Sequence, residues 1–158
     1  MNGIIKGIVV GLAVLVAAKS GNSSYISTEQ QAYCYIYGSE YDICPELLMA
    51  VIEAESSGRA DAQNGDCKGL MQINEPYHVD RMEKLGITDI WDVESNIRLG
   101  ADYLAELFGK YEDVNVVLTA YNCGEYSQIV KKAKDGLIPA YADKIMTRAE
   151  ELERAHNK

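Results

Sequence analysis

The stretch "ELLMAVIEAES", Glu46 to Ser56, places a carboxylate where an apolar stripe should continue. Helical geometry turns successive residues by roughly 100°. Leu48, Val51, Ile52 and Glu55 then follow the i, i+3, i+4, i+7 pattern, with Leu47 beside them. Glu46 and Glu53 fall on the opposite face and read as ordinary surface acids. A carboxyl group in partly apolar surroundings keeps its proton toward neutral pH, because burial disfavours the charged form. Such a group can protonate a leaving oxygen, the step that cleavage of a glycosidic bond requires. On spacing alone, a solvated helix-end carboxylate is an equal reading. The residues that follow favour the acid. Ser56 and Ser57 are small hydrogen-bonding neighbours, and Gly58, Gly65 and Gly69 permit close approach of a ligand. Gln72 offers an amide that can read hydroxyl or acetamido groups. A second carboxylate would have to come from Asp61, Asp66, Glu75 or Asp80, each of which reads as a loop or helix surface acid.

The elements that must hold these residues are helical. No alternating pattern persists long enough to mark a strand. Ser27 or Thr28 caps a first helix expected to end at Gly38, and Pro45 opens a second that runs to about Ser56. Residues 58–69 read as a loop. A short helix ends at Gly86, a strong one covers "NIRLGADYLAELFGKY", and a third covers "VNVVLTAYNCG" and closes at Gly124. A helix from Tyr126 to Lys134 and a last one after Pro139 complete an all-α chain. One domain is expected over residues 29–150, followed by a polar, frayed tail at 151–158.

The net charge of −9 argues against nucleic acid, whose phosphates require clustered cations. Residues 1–18 read as an export signal, or an N-terminal membrane anchor if it is not cut, and 19–28 as a flexible lead-in. The expected location is the cell envelope or the exterior. Four cysteines in an exported chain suggest two disulfides, and three pairings are open. Cys34–Cys44 and Cys67–Cys123 are favoured, the first closing a short loop and the second tying the glycine-rich loop to a later helix. Metal ligation is the rival reading. There is no CxxC pair, and His78 and His156 lie at no ligand spacing to the cysteines, so no metal and no cofactor are expected.

The ordered set "AES", "GLMQI", "NIRLGADYL" and "AYNCG" resembles the catalytic domain of soluble lytic transglycosylases, which shares its lysozyme-like fold with goose-type lysozymes. The resemblance spans roughly Tyr33 to Ile145. It implies Glu55 as the single catalytic acid and Ser56 as a glycan contact beside it. It implies Met71 and Gln72 as a groove wall facing sugar, and Tyr121 with Asn122 as shapers of the same cleft. Tyr141 matches a late tyrosine that hydrogen-bonds the acid, with Tyr126 as competitor. Asn96 and Gly100 match structural positions, a cap and a close helix contact. The cysteines at 67 and 123 depart from the family pattern in two loops that border the cleft.

The resemblance further implies the reaction. Glu55 protonates the oxygen between N-acetylmuramic acid and N-acetylglucosamine, then as a base takes the C6 hydroxyl proton of the same sugar, giving a 1,6-anhydro end. The expected partner is a peptidoglycan strand and the expected state a monomer, in a secretion, conjugation or phage setting. Two alternatives stand: a goose-lysozyme-like hydrolase, and a non-catalytic glycan-binding accessory.

Overall fold

The computed structural model describes residues 25–156. The expected export signal and most of the lead-in lie outside the described residues. Among those described, no helix is long and apolar enough to cross a membrane.

The described residues form seven α-helices and a small three-stranded sheet. Helix α1, Thr28–Tyr41, starts at a capping box in which Ser27 and Gln30 satisfy each other's backbone amides. It continues three residues past Gly38, the expected end. Gly38 serves close approach instead, since a Cβ there would stand 2.7 Å from the Ile43 carbonyl oxygen. The chain leaves α1 through Asp42 in the left-handed region, φ 56°.

Helix α2, Pro45–Ser56, has the expected bounds and lies at the centre of the fold. Residues Leu47 to Ile52 are buried without interruption, because α1 covers one side and α7, Ala140–His156, covers another. The expected polar face is therefore absent. Glu46 is only 8 % exposed. Glu53 accepts two bonds from the Arg148 guanidinium, at 2.6 and 3.2 Å. Neither is the surface acid that the spacing suggested.

After α2 comes the sheet that the sequence did not reveal. Strands β1 (Gln63–Asn64), β2 (Cys67–Lys68) and β3 (Ile73–Asn74) pair antiparallel in sequence order. Two-residue strands are too short for an alternation to be read. A 3-10 turn at Glu75–Tyr77 leads into α3, Val79–Leu85, which ends at Gly86 as expected. Helix α4, Val93–Lys110, begins three residues earlier than the sequence suggested, because Asp92 is its cap and accepts from the Ser95 amide. Helix α5, Val114–Cys123, closes at Gly124. Helix α6, Gln128–Lys134, starts at a Ser127 cap rather than at Tyr126.

Helix α7 overturns the frayed-tail expectation. It stays helical to His156, with Ala149 and Leu152 buried against α2. The cysteine expectation is also overturned. All four residues carry free thiols, so neither Cys34–Cys44 nor Cys67–Cys123 is bridged. Cys44 Sγ points instead to Glu46 and Glu153, at 3.2 and 3.1 Å. Cys123 Sγ faces the Thr119 carbonyl and the Ser127 hydroxyl, each at 2.9 Å.

Candidate active site

Helix α2 stops because Ser57 and Gly58 both turn left-handed, at φ 54° and 77°. Gly58 is required there on two counts, since a Cβ would also meet the Tyr25 carbonyl oxygen at 2.7 Å. This abrupt stop leaves Glu55 in the final turn, half-buried, with the chain turning away from it. The Tyr141 hydroxyl, from the first turn of α7, donates to Glu55 Oε1. Tyr126, the competing tyrosine, is 96 % exposed.

Burial raises the Glu55 pKa above the usual carboxylate range. The Tyr141 hydrogen bond and the nearby Lys144 charge oppose that rise without cancelling it. Among the described residues, no aspartate or glutamate contributes to that shift. Asp61, Asp66 and Asp80 are exposed, and Glu75 is paired with Lys68.

Tyr121, in the last turn of α5, donates to the Met71 carbonyl at 2.8 Å. Its hydroxyl pKa is raised by burial first and by the Glu55 charge second, which places it near the acid. The Cys67 thiol on β2 is raised by burial and then by Glu55 in the same way. Glu55 is thus flanked by α5, α7 and the small sheet. Asn122 is exposed, and its amide makes no hydrogen bond among the described residues.

Three expected sugar contacts are revised. Met71 is fully buried, with its side chain against Gly100 of α4, so it cannot face a ligand. Only its backbone serves the site, the amide bonding Asn96 Oδ1 at 2.8 Å and the carbonyl holding Tyr121. Gln72 sits at φ 47° and spends its amide protons on the Ala62 and Gly69 carbonyls, both at 2.9 Å. Its side-chain oxygen alone is left to accept from a ligand. Ser56 is buried and donates back to the Ile52 carbonyl at 3.1 Å, so its proton belongs to the helix.

Asn96 is not a cap but a clip. Fully buried in α4, it accepts from the Met71 amide and donates to the Lys68 and Ile90 carbonyls, at 3.1 and 2.8 Å. It thereby fixes the sheet and the "GLMQ" turn to α4. Tyr103 was not singled out from the sequence. Its ring lies 5.3 Å from that of Tyr121 and 4.5 Å from His78, extending the aromatic surface. The signal was there in the Gly100, Tyr103, Leu107 spacing, which puts it on the face of α4 that meets the sheet.

Residues 33–140 match the model of the transglycosylase SLT domain, and the chain belongs to that family. A transglycosylase of Enterobacteria phage PRD1 is 36% identical over 87 residues, covering 54% of this chain and 31% of that protein. Membrane-bound lytic murein transglycosylase F of Desulfosudis oleivorans is 34% identical over 87 residues, covering 50% of this chain and 18% of that protein. The chain therefore spans less than a third of either relative. An inactive mutant of lytic transglycosylase Slt from Pseudomonas aeruginosa superposes with a TM-score of 0.69 at 20% identity, over 80% of this chain and 24% of that one. That likeness concerns the fold, an all-α lysozyme-like domain.

Proposed function

We propose that the protein is an exported lytic transglycosylase that cleaves the MurNAc-β-1,4-GlcNAc bond of peptidoglycan and leaves a 1,6-anhydroMurNAc end. The observation that carries this reading is a half-buried Glu55 with a raised pKa, bonded by Tyr141 and, among the described residues, shifted by no second carboxylate. Hydrolytic glycosidases of the common kind pair two acids across the scissile bond. A lone one suits a reaction in which the substrate supplies its own nucleophile.

Glu55 starts protonated and delivers its proton to the bridging oxygen. The resulting carboxylate, stabilised by the Tyr141 hydroxyl, then accepts the proton of the C6 hydroxyl as that oxygen closes on C1. The family model and the relatives' names support the substrate class. The phage relative supports a phage setting among those the resemblance implied. Mass spectrometry of digested peptidoglycan tests the proposal. The expected products carry anhydro ends, and Glu55→Gln slows their release by ~100- to 10,000-fold. Reducing muramic acid ends would identify a hydrolase. Wall binding without any cleavage would identify a glycan-binding accessory.

A further inference from the structure

Chain spacing gave no reason to join a histidine to a cysteine, but the fold does. Cys44 is the N-cap of α2 and Glu46 lies in its first turn. Glu153 and His156 lie in the last turn of α7, which packs against α2. Cys44 Sγ stands 3.2 Å from Glu46 Oε2 and 3.1 Å from Glu153 Oε1. The ligand atoms of these three residues lie within 4.8 Å of one another. His156 Nδ1 is 2.7 Å from Glu46 Oε1, and the Tyr35 hydroxyl is 3.1 Å from the same nitrogen.

A thiol and two carboxylates therefore converge from two helices, with the His156 imidazole on the other oxygen of Glu46. Cys44 and Glu46 are buried. Among the described residues, no lysine or arginine pairs with Glu46 or Glu153. Two carboxylates in partly dry surroundings call for more positive charge than one imidazole supplies. The separations among Cys44, Glu46 and Glu153 also suit a shared cation. A tetrahedral zinc ion with ordinary bond lengths holds its sulfur and oxygen ligands roughly 3.5 Å apart. Expansion by a few tenths of an ångström reaches that value.

We propose that Cys44, Glu46, Glu153 and His156 form a zinc site that staples the end of α7 to the start of α2. Sulfur and imidazole donors select zinc over magnesium or calcium. Cys44, Glu46 and Glu153 already stand together, and the His156 ring turns in from Glu46 Oε1 to close the fourth position, so the ion is structural. Cys44 releases its proton to solvent as the Zn–S bond forms, with no change of oxidation state. The Tyr35 hydroxyl, 3.4 Å from Glu46 Oε1, orients that carboxylate from behind. The site lies roughly 16 Å along α2 from Glu55, nine residues away plus the cap and its side chain. It acts on the reaction only by fixing the helix that carries Tyr141.

The test uses the full chain, reduced and stripped with a chelator. Zinc is titrated against a chromophoric competitor, and cobalt is bound in its place for spectroscopy. The expected result is one zinc per chain, a thiolate-to-cobalt charge-transfer band in the near ultraviolet, and a higher unfolding midpoint with zinc. Cys44→Ser should abolish the band. His156→Ala, at the outer end of α7 where folding is not at risk, should weaken zinc at least ~10-fold. Cys123→Ser should leave affinity unchanged. The proposal is overturned by absence of stoichiometric binding, by equal loss in Cys123→Ser, by a cobalt spectrum without the thiolate band, or by peptide mapping that finds Cys44 bridged to Cys34.

Discussion

The three bonds of Asn96 allow a quantitative test of how the site is held. Asn96→Ala deserts the buried Met71 amide and Ile90 carbonyl and the part-buried Lys68 carbonyl. A buried polar group left without its partner costs roughly 1–3 kcal/mol. Three such losses, partly relaxed, come to about 3–6 kcal/mol, against a total of roughly 5–15 kcal/mol for a domain. At this chain length that corresponds to an unfolding midpoint lower by roughly 10–20 °C. Gly69 sharpens the test. A Cβ there would lie 2.7 Å from Asn96 Cγ, on a backbone at φ 76°. Gly69→Ala alone therefore suffers both a clash with Asn96 and a conformational cost of about 1–2 kcal/mol. In the Asn96→Ala background the clash is gone and only the conformational cost remains. Urea denaturation of the four proteins in the cycle measures the difference. An Asn96→Ala loss below about 1 kcal/mol, or an equal Gly69→Ala cost in both backgrounds, would refute the clip.

Tyr141→Phe removes the donor that stabilises ionised Glu55, so the Glu55 pKa should rise further. In the proposed mechanism the protonated acid is the active form, so the alkaline limb of kcat/KM should move to higher pH; a shift to lower pH contradicts the assigned sign. Glu55→Gln removes a group whose folded pKa lies above its unfolded one. The wild type therefore loses stability as pH rises from the unfolded to the folded value, and the variant should be the more stable above that window but not below it, by thermal melts across pH. Arg148→Ala strips both guanidinium bonds from Glu53 and should cost about 1.5–3 kcal/mol in denaturant titrations, with specific activity per folded molecule kept. Gly100→Ala sets a Cβ 2.7 Å from Met71 Cε, and this overpacking should cost about 1–3 kcal/mol by the same titration.

Glu55 was legible because an apolar stripe at helical spacing ran into it, and helix stops at Gly86 and Gly124 were legible because glycine ends helices there. What misled was burial from the side. Glu46 and Glu53 follow a surface pattern on α2 alone, yet α1 and α7 cover that face, and no periodicity within α2 reports a neighbour 90 residues away. Asn96 was expected to be a cap from the family resemblance alone; the true cap, Asp92, lies four residues earlier. The strands at 63–64, 67–68 and 73–74 were invisible for want of length. Residues 151–156 looked polar because only Leu152 among them points inward, while Glu153 and His156 meet partners that spacing cannot anticipate.

The position of Glu55 in the closing turn of α2 has one more effect. Peptide carbonyls without helical partners gather at that end, and together they carry the equivalent of about half a negative elementary charge. This field works against ionisation of the carboxyl group and is built into the main chain. In the proposed mechanism, shielding by bound glycan comes and goes with each turnover, whereas the backbone contribution persists and resets Glu55 toward its proton-bearing form between cleavage events.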